Sequence, residues 1–538
     1  MRRRSKLKGY ALVLLCVMMA IMAGCQAVGS VDLNKALLSS MEITSMEGSG
    51  EVEISFELDD TAVLTETEKE SLALIEVLNH TKLHMEQIKQ ESPQVLSVKG
   101  NLEVGRGKIP FQASITPDSL AVWPEGADKP FVLDIAGLSA GLSGLGGELP
   151  VEAGATDQTQ LLLSLQEQVK DPEFLKPLFA YLIGKLPNPD KLSLESGSET
   201  INGQSVYLHH VNVELKTKDI IPLLRSFVLN LMKDDQALKS VIAQYYDVLS
   251  PLFSGFVGEI LGEALGFTEG EALNSVLEDK EAGLEIFHTE FKQVLAILLV
   301  MLNGVGQDSE SELQNVLGKD SVLKVDLYAD SGMKLRKSVL DLTLAPTDGL
   351  VPGVRSIHIK SSSENWNVNE PVTADIIPSE DGFPLEDASD PEQLLQALPP
   401  QSVLYQWLKD DLHITRKEAS FFMMTEPEDF EYGYGWAAYL EGETAMVPAR
   451  SLADDLGLEL LWNEQEQAIT LTVPGKKNSI VLTKDSGTAY ANGKEIALDQ
   501  PVALKEEYLY VPLRNVADAI GAKVVWDEEY GSVDVSLD

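Results

Sequence analysis

Two stretches near the C-terminal end are written in almost the same words. Residues 447–462 read Val-Pro-Ala-Arg-Ser-Leu-Ala-Asp-Asp-Leu-Gly-Leu-Glu-Leu-Leu-Trp, and residues 511–526 read Val-Pro-Leu-Arg-Asn-Val-Ala-Asp-Ala-Ile-Gly-Ala-Lys-Val-Val-Trp. Each copy predicts one structural unit. Pro448 or Pro512 is expected at the first helical position, where a missing N–H costs nothing, and Gly457 or Gly521 then closes a short helix. The strand that follows places Leu460 with Trp462, or Val524 with Trp526, on one face by period-two alternation, so both tryptophans are expected in a core. Arg450 and Arg514 each precede an aspartate by four residues, Asp454 and Asp518, which predicts an ion pair along the helix and a structural role. A second apolar strand follows each copy, at 469–473 and 533–537. Further strands are expected at 479–484, 488–491 and 494–498, the last two joined through Asn492-Gly493, a hairpin turn that tolerates positive φ.

Strands, a V-P-x-R motif, a short helix ending in glycine and a strand ending in tryptophan together resemble the copper amine oxidase-like N-terminal domain of bacterial surface proteins. The resemblance covers about residues 430–538, with the second copy fitting best. It implies a stalk or interaction module remote from any catalytic centre. The sequence itself argues against copper chemistry there, because copper sites depend largely on imidazole and all seven histidines, His80 to His413, lie outside the repeat. No metal, no cofactor and no enzymatic activity are expected.

The other end constrains location. Arg2, Arg3, Arg4, Lys6 and Lys8 form a basic stretch, followed by an apolar run over residues 10–23 that is too short for a permanent span of about 20 apolar residues. Met22-Ala23-Gly24-Cys25 resembles the lipobox of bacterial lipoproteins. That implies removal of residues 1–24, a diacylglyceryl group on Cys25 and anchorage to the outer face of the cell membrane through acyl chains. Cys16 lies in the leader and Cys25 would carry lipid, so disulfides and cysteine-ligated metals are excluded for the mature chain.

The formal charge is −42, and loss of the leader's five cations makes it −47. Such a field repels nucleic acid, which is therefore not an expected partner. At 538 residues the chain is too long for one ordinary core. Prolines and acidic residues crowd residues 378–401, which are expected to be a linker between an acidic domain (25–377) and a connecting segment (402–429) leading to the repeat module (430–538).

In the large domain, strands are expected at 50–58, 95–104, 109–115, 119–123, 206–216, 322–328, 334–344 and 354–361. Helices are expected at 65–90, 161–186, 220–265 and 282–302. The fold class is α+β, a curved antiparallel sheet with helices plus the small C-terminal α+β repeat domain. This layout, with its Asn-Glu-Pro-Val ending at residues 369–372, resembles the LolA-like fold of secreted lipoproteins. That resemblance implies an apolar cavity for a lipid or hydrophobic ligand.

Chemical motifs are sparse. Gly137-Leu-Ser139-Ala-Gly141 matches a nucleophile elbow, but a glycine-rich loop follows where a helix must stand, so a serine hydrolase is the least favoured reading. His80 and His84 stand four apart on the expected first helix, but Thr81 occupies the place of the zinc motif's glutamate. Alternating aromatics at Tyr432, Tyr434 and Trp436 would share one strand face, suited either to stacking on sugar rings or to packing on the core. The expected function is a lipid-anchored surface protein with a non-catalytic binding or stalk role. Its expected partners are the membrane, cell-wall polysaccharide or peptidoglycan; a lipid carrier or sensor is the alternative.

Overall fold

The computed structural model describes residues 33–135, 172–256, 280–304, 317–346, 351–424, 438–505, 508–527 and 531–537. Cys25 and its leader, Ser139, and the aromatic run Tyr432, Tyr434 and Trp436 lie outside the described residues. The fold is an α+β mixture that divides into two compact units. The first comprises Met1–Asp60 with Leu78–Ser389, and the second Thr61–Val77 with Asp390–Asp538.

The first unit is built on one sheet. In chain order its strands are β1 (Met46–Leu58), β2 (Thr81–Ser92), β3 (Val95–Val104), β4 (Gly107–Ile115), β5 (Ser119–Pro124), β6 (Phe131–Asp134), β7 (Leu192–Ile201), β8 (Gln204–Lys216), β9 (Val322–Ala329), β10 (Leu335–Leu344), β11 (Val354–Trp366) and β12 (Phe383–Pro384). Their order across the sheet is β12-β6-β5-β4-β3-β2-β1-β11-β10-β9-β8-β7. Every pairing is antiparallel except β12 with β6. Alternation assigns each face: Val213, Leu215, Leu323 and Leu342 are buried on one side, where Leu223 of the helix Thr217–Lys233 packs against them. Polar residues take the other face.

Helices Pro172–Lys185, Thr217–Lys233, Asp235–Phe256 and Lys280–Gly304 share a core around Ile183, Phe227, Leu231, Ile242, Tyr246, Phe287 and Leu295. The single helix expected over 220–265 is in fact two. Asp234 breaks it with non-helical φ and ψ of −100° and 69°, and its Oδ1 accepts the Ala237 N–H at 3.3 Å, starting the next helix. The apolar helix Lys280–Gly304 is core, and among the described residues no helix is long and apolar enough to cross a membrane.

Two expectations for segments at the boundaries between the units are corrected. The helix expected over 65–90 is a helix, Glu66–Leu78, and then strand β2. His80 turns the chain with φ +59°, and His84 points from β2 toward Glu51 at 2.9 Å and Glu103 at 3.3 Å, so the two histidines share no helix face. The linker expected over 378–401 is also structured. Phe383–Pro384 adds a strand beside Phe131 and Val132, Phe383 meets Phe131 edge-on at 5.4 Å, and Asp390 caps the helix Pro391–Gln396 by accepting the Glu392 N–H at 2.9 Å. The prolines that suggested a linker serve an edge strand and a first helical turn, where no N–H is needed.

Just before that region, residues 374–377 run as a strap across the polar face of β2 to β4. The N–H groups of Asp375 and Ile377 donate to Ser97 Oγ (2.9 Å) and Ser114 Oγ (3.1 Å), and Asp375 accepts from Lys89 (3.2 Å) and Lys99 (2.9 Å). Those two lysines, Lys99 foremost, hold the Asp375 carboxyl below the usual carboxylate range.

The second unit contains β13 (Lys417–Met424), β14 (Ala438–Glu441), β15 (Thr444–Pro448), β16 (Glu459–Asn463), β17 (Ala468–Thr472), β18 (Ser479–Thr483), β19 (Thr488–Ala491), β20 (Lys494–Ala497), β21 (Ala503–Lys505), β22 (Tyr508–Pro512), β23 (Lys523–Asp527) and β24 (Ser532–Leu537). The two repeats pair through β15 and β22, with Val447 opposite Val511, Met446 opposite Pro512 and Pro448 opposite Tyr510. Equivalent residues thus face each other across a local pseudo-twofold. The hairpin β16–β17 extends to β18, and its counterpart β23–β24 extends to β13. β13 therefore belongs to this unit, and its Ala419, Phe421 and Met423 are in the same core as Leu452, Leu471, Val511 and Val516.

Repeat chemistry follows the sequence with one correction. Gly457 and Gly521 take φ of +63° and +80° after the helices Ala449–Asp455 and Leu513–Ile520. The next residues bond back, Leu458 N–H to Ala453 O at 2.8 Å and Ala522 N–H to Ala517 O at 2.9 Å, as a Schellman closure requires. Asn492 and Gly493 turn β19 into β20 with φ of +52° and +78°. Pro448 and Pro512, however, are not the first helical residues: each ends a strand and stands at the N-cap in extended backbone. The pairing of β15 with β22 runs through both prolines, Pro448 opposite Tyr510 and Pro512 opposite Met446, so the extended backbone continues up to the helix.

Candidate functional site

The largest surprise in the repeat module is where the tryptophans go. Trp462 is 50% exposed and Trp526 47% exposed, so the expectation that both are core is corrected. Alternation set their face properly: Trp462 stands with Leu460, opposite Ile469 on β17. Depth is decided by what lies above. The covering helix Ala449–Asp455 has seven residues and is thus about 10 Å long, enough to roof Leu458 and Leu460 but not the far end of β16.

Trp462 instead forms a wall of a groove of about 350 Å³. Arg450 and Pro448 come from the strand-to-helix corner, Gln467 and Ile469 from β17 and the turn before it, Lys484 from the end of β18, and Tyr508 from β22 of the other repeat. Tyr508 is 41% exposed while Tyr510, two residues on, is fully buried. Arg450 forms no ion pair with Asp454 within 4 Å, and neither does Arg514 with Asp518, so the expected helical pairs are corrected. Lys484 has Asp485 at 4.0 Å, an exposed carboxylate outside the groove lining. Among the described residues the lining holds two cations and no carboxylate, in a chain with 84 acidic residues against 42 basic ones.

The structure thus brings Pro448, Arg450 and Trp462 into one groove. Their counterparts Pro512, Arg514 and Trp526 are not part of that lining, and Gly457 and Gly521 shape the backbone at the helix ends. Sequence reasoning missed Gln467, Lys484 and Tyr508. A signal existed for Tyr508: it aligns with Thr444 in the first copy, an aromatic for a hydroxyl at one position of the repeat.

A second feature lies on the polar face of the large sheet. Glu214, Lys324, Asp341, Lys360, Glu53, Lys82, Glu103 and Lys108 stand opposite one another on eight successive strands, β8 to β11 and β1 to β4, with strict alternation of sign. Lys191 extends the row by pairing with Glu214 at 2.7 Å. A shallow cavity of about 400 Å³ opens over Lys216, Lys324, Asp341, His358 and Lys360. Its lining carries both signs, and the ladder reads as a register device. Among the described residues no group of three or more histidine, cysteine, aspartate or glutamate side chains is arranged to hold a metal ion.

Comparison with known proteins agrees with the repeat module. Residues 431–535 match the family model of the copper amine oxidase N-terminal domain, a non-catalytic domain of those enzymes. The structural unit begins earlier than the match, since β13 pairs with β24 and supplies three core residues from 417 onward. No curated protein matches the chain.

Proposed function

We propose that the protein is an exported lipoprotein, held at the outer face of a bacterial membrane by a diacylglyceryl group on Cys25, with a non-catalytic binding or stalk role. Its repeat module contacts cell-wall glycan, polysaccharide or peptidoglycan. The observation that carries this reading is the exposure of Trp462 and Tyr508 beside one groove of a module matched to a non-catalytic domain. Aromatic faces offer apolar area with a polar edge, the surface a sugar ring requires. The basic leader and Met22-Ala23-Gly24-Cys25 support the anchor.

Two experiments test the two halves. Metabolic labelling with a clickable fatty acid should mark the chain and fail in Cys25→Ala; equal labelling of that variant removes the anchor. Co-sedimentation with purified sacculi should deplete the chain from solution, and no depletion removes the wall contact, leaving a spacer.

A second reading, a carrier of a hydrophobic ligand, draws support from the first unit. Val52, Ile54, Leu83, Leu102, Phe111 and Ile115 alternate onto the apolar face of β1 to β4, and Ile54 and Ile115 are each 37% exposed there. Mass spectrometry of solvent extracts from the purified chain would find stoichiometric lipid if this unit carries one, and none otherwise.

A further inference from the structure

We infer that the groove beside Trp462 is the glycan site itself and that its ligand is anionic: a sugar polymer whose rings carry carboxylate or phosphodiester groups. The inference rests on the wall-contact reading and adds to it a site and a ligand class.

Three observations converge. Trp462 and Tyr508 come from different repeats yet border one groove, and each keeps two fifths or more of its surface in solvent. Arg450 and Lys484 bring positive charge to the same lining, and among the described residues no carboxylate joins them. In a chain of net charge −42, two cations in one groove lining run against the sign of the bulk surface, where a neutral sugar would need no charge at all. The chemistry divides cleanly. The rings take a sugar face, the Arg450 fork takes a carboxylate or phosphate oxygen pair, and Gln467 can donate to or accept from a hydroxyl. A volume of about 350 Å³ falls at the lower end of ligand pockets, which run from about 300 to 1,000 Å³, and suits one or two sugar units of a longer chain.

The pseudo-twofold supplies an internal control. Trp526 is as exposed as Trp462 and occupies the equivalent strand position, but it is not part of this groove. Comparing the two positions therefore separates the effect of the groove from that of an exposed tryptophan alone.

The test uses the full chain carrying Cys25→Ser, so that no acyl group contributes, in depletion isotherms against three solids. These are intact Gram-positive sacculi, sacculi stripped of phosphodiester polymers by hydrofluoric acid, and a neutral glucan. Variants are Trp462→Ala, the pair Arg450→Gln with Lys484→Gln, and Trp526→Ala, each checked by thermal unfolding. We expect sacculus binding to fall about tenfold or more in Trp462→Ala and in the paired variant, with Trp526→Ala within about twofold of the parent. Salt should weaken the parent and leave the paired variant nearly unaffected. Loss of binding after stripping makes the ligand a phosphodiester polymer, and retention makes it the carboxylates of the glycan strands. If sacculi bind the parent and all three variants equally, the groove assignment is overturned while wall contact stands. Equal binding to neutral glucan overturns the anionic class. If neither sacculus preparation binds the parent, site and wall contact fall together.

Discussion

Asp375 is a single side chain that fastens a whole segment. It accepts from Lys89 and Lys99, and its own N–H donates to the buried Ser97, so the strap over β2 to β4 is tied where it carries charge. Because its folded pKa is depressed, the contribution is fully present above the unfolded carboxyl pKa of about 3.9 and is lost as pH falls through the lower folded value. Hydrogen-exchange protection factors at Ala374, Asp375 and Ile377, taken relative to the intrinsic rate at each pH, should therefore be high at neutral pH and fall below about pH 4, and Asp375→Asn should show the lower protection already at neutral pH. Protection unchanged in that variant would place the strap's stability in its serine contacts alone. Glycine gives the complementary case. At φ +80°, Gly521 has room for a methyl group but not the backbone for one, so Gly521→Ala should cost about 1–2 kcal/mol. Gly184, exposed on the helix Pro172–Lys185 with nothing near its missing Cβ, should gain about 0.4–1 kcal/mol from the same change. Denaturant titrations of both variants check the sign. These backbone positions were legible because the chemistry of Gly457, Gly521 and Asn492-Gly493 is local. Trp462 was not, because alternation states which way a side chain points and says nothing of what covers it.

Among the strands, the charge ladder explains how a broad sheet keeps its register. Five of the eight ladder residues sit between two apolar neighbours, as Glu214 does between Val213 and Leu215, and Glu53 between Val52 and Ile54. A slip by one residue would therefore bury the charges and expose the core. A slip by two preserves the faces but breaks the alternation of sign. Lys360 stands opposite both Asp341 and Glu53, so Lys360→Glu sets three carboxylates in a row and should cost about 1 kcal/mol, less at high salt because the side chain is exposed. Adding Asp341→Lys restores the 341–360 pair but opposes Lys324. The double variant should thus show a favourable coupling in a mutant cycle and still be less stable than the parent. Additive costs would mean that the ladder carries no pairwise energy. The regular strands were readable by period two, as the expected 95–104 and the observed β3 show. Strand β2 was not, for a physical reason: the register shift between Met85 and Gln87 puts Ile88 three residues after Met85, and a β-bulge there imitates helical spacing.

At the scale of the whole chain, the C-terminal unit is discontinuous in sequence, since Thr61–Val77 belongs with Asp390–Asp538 although it lies between β1 and β2 of the large sheet. Nothing in the local sequence signals this, because helix Glu66–Leu78 reads as an amphipathic segment wherever it docks. The tie is chemical and visible: Glu70 forms an ion pair with Lys523 on β23 and stands 3.7 Å from Arg416, just before β13. Both partners flank the hairpin β23–β24 of the second repeat, so Glu70 joins the inserted helix to the half of the module that β13 completes. Partly exposed pairs of this kind contribute about 1 kcal/mol at most, which in a unit of this size moves a midpoint by about 2–4 °C. Two units with separate cores should give separable transitions, and exchange read over β17 and β18 reports one while β8 and β9 report the other. Glu70→Ala should lower the first of these by that margin and leave the second in place. A shift confined to β8 and β9 would instead assign the helix to the large sheet, where the sequence alone would have put it.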